Sequence, residues 1–261
     1  MKKVAVLIID GQFDFCDPKG ALFVTNADKD MEKLGNFITK NSNEINFIGL
    51  TMDAHQVNDI SHPSFWINKD KQHPNPFTII TPKDVLEGIW APRFHPTLVV
   101  EYINELTKQG EFPHCIWPEH CIIGSQGASF VDSIMNPIKT WTKNSGIPFH
   151  VIAKGTNPLT EHFGAFRANV PIEGKPETQF NHNLIKTLSQ FDVIYFAGEA
   201  RSHCVANTLK QAMEYPDLAK KFIVLTDCMS NVGGFEHIAD TIYSDAKTMG
   251  VSFELSTNIK L

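Results

Sequence analysis

The chain has 261 residues, 42% of them hydrophobic and 20% charged, with a formal net charge of −6. That is enough apolar material for a full core, and the acidic balance lacks the basic footprint of a nucleic-acid binder. No 18-residue apolar run occurs, "MKKVAVLIID" ends at Asp10 without a cleavage site, and five irregularly spaced cysteines make no disulfide framework. A cytoplasmic, unexported protein without membrane or nucleic-acid partners is therefore expected.

In chain order, six short runs rich in β-branched residues read as strands buried on both faces: "KVAVLIID", "NFIGLTMD", "PFHVIAKG", "DVIYFAG", "KFIVLTD" and "VSFELS". Between them, residues 28–44, 127–144, 182–190, 203–215 and 235–249 carry helical spacing. Strands alternating with helices predict the α/β class: one doubly wound domain over 1–261, with a mainly parallel six-stranded sheet and helices on both faces. Residues 56–116 break that rhythm, being rich in Pro, His and aromatics, with one clear helix in "PTLVVEYINELTKQG". They read as an extended insertion forming a loop or lid over the site.

Ligands of open α/β sheets bind beyond the carboxyl ends of the strands, so polar residues just after each apolar run are the candidates. That rule selects Asp10, Asp53 with His55, Lys154 and Cys204. A thiol beside a lysine has its thiolate favoured, while a carboxylate can take the thiol proton and return it to a leaving amine. Together these groups suffice for acyl transfer.

His203 precedes Cys204, but neighbours on a helix point about 100° apart, so a Cys204–His203 dyad is not expected. A place in the first turn of a helix would lower the thiol pKa further. Asp53 and His55, two apart on an extended strand end, project to one side and can share a metal ion. His120 in "WPEHC" and His62 in "NDISHP" are candidates to complete an oxygen and nitrogen set suited to Zn, Fe or Mn. No GxxxxGK or GxGxxG motif appears, so no nucleotide cofactor is expected, and no GxSxG elbow offers a serine.

Five blocks, "LIIDGQFDFC", "MDAH", "WPEHC", "IAKG" and "GEARSHCVANT", resemble in content and order the isochorismatase-like cysteine hydrolases, and among them the nicotinamidase/pyrazinamidase branch. The resemblance implies a triad of Cys204 as nucleophile, Asp10 as proton shuttle and Lys154 as supporting charge. It implies metal ligands Asp53, His55 and His120, with His62 as a fourth candidate and zinc as the first choice of ion. An oxyanion hole from the Ala200 and Cys204 amides is implied, with a cis peptide between Glu199 and Ala200. Phe15 and Trp117 would sandwich a flat pyridine, with Phe163 as a further wall.

Two departures stand out. Glu199 occupies a position usually apolar in the family, and could either face the substrate or pair with Arg201. The stretch from His55 to His120 is longer than in compact members. The implied activity is hydrolysis of nicotinamide to nicotinate and ammonia through a thioester. An N-carbamoyl or ureido amidase is the nearest rival, and a non-catalytic metal-binding or redox-sensing module is the rival from another class. A homo-oligomer is compatible with the sequence.

Overall fold

The six β-branched runs become the six strands of one sheet in the computed structural model, which describes residues 2–260. They are β1 (Val4–Ile9), β2 (Ile45–Asp53), β3 (His150–Lys154), β4 (Val193–Gly198), β5 (Phe222–Leu225) and β6 (Ser252–Glu254). Their order across the sheet is β6-β5-β4-β1-β2-β3, and every pairing is parallel. Every residue of β1 is buried, as expected of a central parallel strand covered on both faces.

Two apolar clusters provide those covers. On one face, Val6 and Ile8 of β1 meet Met31, Leu34 and Ile38 of α1 (Ala27–Lys40), with Ile134, Ile138 and Trp141 of α3 (Asp132–Ser145). On the other, Ala5, Leu7 and Ile9 meet Leu184 and Leu188 of α4 (His182–Leu188) and Leu209 and Ala212 of α5 (Ala206–Ala212). Tyr243 and Ala246 of α6 (Asp240–Thr248) join that second cluster. Alternate residues of one strand thus feed opposite layers. Pro137 cannot donate to the Ser133 carbonyl, and Gly35 of α1 packs against that same oxygen, where an added Cβ would lie 2.2 Å away. The two helices approach closely at this point.

The predicted helices are present but shorter. The first stops at Lys40, where Asn41 Nδ2 donates to the Phe37 carbonyl. The second starts at Asp132 rather than 127, because the preceding loop bonds instead to the segment after β1: Phe13 N donates to Ser129 O and Asp14 N to Gly127 O. At "RSHCV" the chain winds as a π turn before α5 begins at Ala206. The insertion holds the expected helix, α2 (Pro96–Lys108), and a small core of its own, with Ile60, Phe65, Trp66, Val99, Tyr102 and Ile103 in contact. It also holds a short helix, Pro82–Leu86, opened by a reciprocal Thr81–Asp84 capping box whose signature is "TPKD". No helix among the described residues is long and apolar enough to cross a membrane.

Gly198 ends β4 with φ +129°, and a Cβ there would sit 2.0 Å from the Ile9 carbonyl oxygen on β1. Gly198→Ala is expected to lower stability by more than ~2 kcal/mol, read as a drop in the thermal unfolding midpoint.

Candidate active site

β1 and β4 lie side by side, and from them the strand order runs outward in opposite directions. Such a reversal leaves a crevice beyond the strand ends. Asp10 follows β1 and Cys204 lies just beyond β4, while Asp53 and Lys154 end β2 and β3. Asp10 adopts φ 44°, unusual for a side chain with a Cβ, and Thr51 steadies it twice. The Thr51 hydroxyl accepts from Asp10 N at 3.0 Å and donates to Asp10 Oδ1 at 2.6 Å.

The Lys154 ammonium is 2.8 Å from Asp10 Oδ2, 3.1 Å from Asp53 Oδ1 and 3.6 Å from Cys204 Sγ. Burial opposes its charge, but Asp10 and Asp53 outweigh burial and hold its pKa well above the usual value. Burial, reinforced by Asp53, raises Asp10 despite Lys154. Burial also pushes the Cys204 thiol well up, Lys154 countering only in part and Asp10 adding to the rise. Lys154 favours the thiolate as expected, but the net shift is upward rather than the expected lowering, because Cys204 is buried within a π turn and desolvation dominates. The sulfur holds its proton at rest and needs a base, and Asp10 is the carboxylate beside it.

Asp53, His55 and His120 each bring one ligand atom to within 4.8 Å of the others, and all three are buried. His55 Nε2 lies 3.0 Å and His120 Nε2 3.8 Å from Asp53 Oδ2. The other ring nitrogens are engaged: His120 Nδ1 with the Pro118 carbonyl at 2.9 Å, and His55 Nδ1 with Asp59 Oδ2 at 3.0 Å. Outer anchors of this kind aim metal-binding imidazoles. One carboxylate with two oriented imidazoles fits a divalent ion of the zinc class. His62 stands near both rings, at centroid distances of 5.1 and 5.3 Å, and both its nitrogens are buried without a hydrogen-bond partner. It lies outside the converging triad of donor atoms.

A narrow pocket opens between the two groups. Phe15, Trp117, Phe163 and Ala200 line it as expected, together with Cys204, Asp53 and His120. The Ala200 N–H has no acceptor among the described residues, and the Glu199–Ala200 bond is cis.

Glu199 is a correction. Its side chain is fully buried away from the pocket and accepts from Ser230 N at 3.1 Å. Arg201 is not its partner: the guanidinium lies over the Tyr243 ring and donates to Asn231. His203 makes no dyad with Cys204, since its Nδ1 pairs with Ser202 Oγ at 2.9 Å. Its ring packs among Phe112, Trp117, Phe163 and Phe235, lines the pocket, and is held near a pKa of about 3 by burial.

Glu161 was missed. It lines the pocket, accepts from Trp117 Nε1 at 3.2 Å, and burial raises its pKa to about 8. In the sequence it is one more acidic residue in a polar loop after Lys154, without a pattern to separate it from surface charge.

The sequence matches no protein-family model. It is 23% identical over 247 residues to the nicotinamidase of Saccharomyces cerevisiae, covering 95% of this chain and 97% of the yeast protein. Its structure resembles that of the yeast nicotinamidase Pnc1p with a TM-score of 0.65 at 21% identity, over 96% of this chain and 98% of that one. For the Pyrococcus horikoshii pyrazinamidase in complex with zinc the TM-score is 0.57 at 21% identity, over 97% and 99% of the two chains. The fold is the one these amidases share.

Burial holds His114 near a pKa of about 4 and His162 and His203 near about 3, against 6.5 for a free histidine. Each takes up its proton only on unfolding, so its contribution is complete above pH 6.5 and is lost as pH falls toward the folded values. The unfolding free energy of metal-free protein should fall steadily below pH 6.5, by up to ~1.4 kcal/mol per pH unit per histidine, and the melting temperature with it. A flat acid limb in a pH series of thermal melts would contradict this.

Proposed function

We propose that this chain, built on the fold of the nicotinamidases, is a metal-dependent cysteine amidohydrolase that cleaves nicotinamide to nicotinate and ammonia. One observation carries the reading: a buried ammonium, Lys154, within 3.6 Å of a thiol and 2.8 Å of a carboxylate, at three different strand ends around one pocket. The full-length similarity to the yeast nicotinamidase supports the substrate class.

Asp10 takes the proton of Cys204, and the thiolate attacks the amide carbon. Lys154 neutralises whichever partner is charged, so the proton can move without creating an uncompensated buried charge. The carbonyl electrons move to oxygen, which the Ala200 and Cys204 amides receive; a donor in this role is worth about 3 kcal/mol. Protonated Asp10 delivers its proton to the departing nitrogen as the C–N bond breaks, releasing ammonia and leaving a thioester. Asp10 then takes a proton from water, hydroxide adds to the thioester, and the sulfur leaves as a thiol while the acid is released. Phe15, Trp117 and Phe163 supply flat apolar walls for an aromatic ring. Asp53, His55 and His120 would hold a divalent ion, which when bound supplies a Lewis-acid anchor for a ring nitrogen.

The test is ammonia release from nicotinamide, pyrazinamide and an N-carbamoyl amide, with and without chelator. Nicotinamide turnover should be strong, fail on metal removal and return with zinc. Turnover of the N-carbamoyl amide alone would favour the ureido reading, and bound metal with no ammonia from any amide would favour a non-catalytic module. Cys204→Ala should lower kcat by roughly 10³-fold or more with the fold intact, by circular dichroism and thermal melting. Thr51→Val, which removes both contacts to Asp10, should lower kcat about tenfold with KM little changed, as a lost hydrogen bond of about 1–1.5 kcal/mol predicts.

A further inference from the structure

The turn that carries Ala200 and Cys204 is fastened to the strip Ser230–Val232 by three hydrogen bonds that involve its backbone or the Glu199 and Ser202 side chains, besides the one from the Arg201 guanidinium to Asn231. Ser230 N donates to Glu199 Oε2 at 3.1 Å, Arg201 N to Ser230 O at 2.8 Å, and Val232 N to Ser202 Oγ at 3.0 Å. Val232 lines the pocket, so the strip is both wall and brace. Glu199 is fully buried, and its Oε1 meets no hydrogen-bond donor.

The ionisable groups around Glu199 come from every element packed on it. Helix α1 brings Asp30 and Lys33, the short helix after β1 brings Cys16, and α6 brings Tyr243. Lys33 is committed elsewhere: its ammonium is 3.2 Å from Asp30 Oδ1 and donates to the Asp227 carbonyl at 2.9 Å. Asp30 Oδ2 accepts from Ser230 Oγ. Both carboxylates thus bond to one serine, Glu199 to its N–H and Asp30 to its hydroxyl, and buried side by side they are compatible only if one carries a proton.

We propose that Glu199 and Asp30 share one proton, with Glu199 the neutral acid, and that this pair clamps Ser230 between them and holds the oxyanion turn in register with the pocket wall. Two buried carboxylates held against one serine cannot both ionise, and the Lys33 ammonium lies on the Asp30 side of the pair, 3.2 Å from Asp30 Oδ1. Burial first, and the charge of Asp30 second, keep the Glu199 proton bound well above the usual carboxylate range. Glu199 is thus a positioning residue acting through Ser230. That catalytic consequence rests on the proposed amidohydrolase reading, whereas the protonation state does not.

Three measurements on the full chain test it, two of them without substrate. Glu199→Gln keeps an acceptor for Ser230 N and offers Asp30 an N–H in place of the acid proton, but cannot ionise. A raised folded pKa means stability is complete below the unfolded value and is lost as pH rises toward the folded one. The melting temperature of the wild type should therefore fall relative to E199Q between pH 5 and pH 9. A difference that does not change with pH overturns the shared proton. The infrared difference spectrum, wild type minus E199Q, should show a protonated carboxyl C=O band at neutral pH, and its absence likewise overturns it.

In turnover, E199Q should stay within about twofold of wild type, while Glu199→Leu should lose roughly 10- to 100-fold in kcat with KM changed little, as a displaced oxyanion donor predicts. Full kcat in E199L refutes the positioning role. Should E199L fail to fold, a large loss of kcat in E199Q with a normal melt refutes it instead. If no amide is turned over at all, the proposed activity fails, while the melt series and the infrared band still decide the proton.

Discussion

A single buried ammonium sets the terms on which this site can exist. Lys154 is 1% exposed, and a charge so far from water persists only where carboxylates compensate it. Two do, from neighbouring strands: Asp10 beyond β1 and Asp53 at the end of β2. Each strand contributes one member, so the parallel order of β1, β2 and β3 is what gathers the charges. Removing any one leaves the others buried with the wrong sum. With Asp10 and Asp53 ionised, Lys154 leaves one excess negative charge beside the crevice, which a divalent cation can offset.

Asp53 therefore belongs to two assemblies. Its Oδ1 faces Lys154, and its Oδ2 faces the Nε2 atoms of His55 and His120. Burial raises its pKa, but His55 and Lys154 overcome this and hold it well below the usual range. A change in either half is felt electrostatically in the other over a distance of one carboxylate. The Lys154 cluster and the imidazole-bearing wall are in this sense one unit.

How much of this could be read from residues alone divides by physical cause. Strand ends were legible because β-branched runs stop where a polar residue begins, and this located Asp10, Asp53, Lys154 and the approach to Cys204. The order of the motif blocks tied them together. Helix starts were less legible: residues 127–131 belong to a stretch with helical spacing, but the Gly127 and Ser129 carbonyls accept from the segment after β1. Glu161 and Glu199 were illegible for a common reason. A carboxylate in sequence looks solvated, and only the packed fold shows that one lines a pocket while the other lies wholly inside. The cysteine failed differently: proximity to a cation was visible, but the desolvation that outweighs it was not.

The insertion is joined to the sheet by a closed neck. His55 N donates to Cys121 O at 3.0 Å, Ile123 N donates to His55 O at 3.1 Å, and the loop between carries its own small core. His55 and His120 sit at that neck rather than out on the loop. Once a neck is fixed, the chain entropy of what lies beyond it grows only logarithmically, by about 0.6 kcal/mol for each doubling of length. Lid size is thereby decoupled from site geometry: residues between the two histidines can be gained, lost or exchanged for another cover while the imidazoles keep their aim.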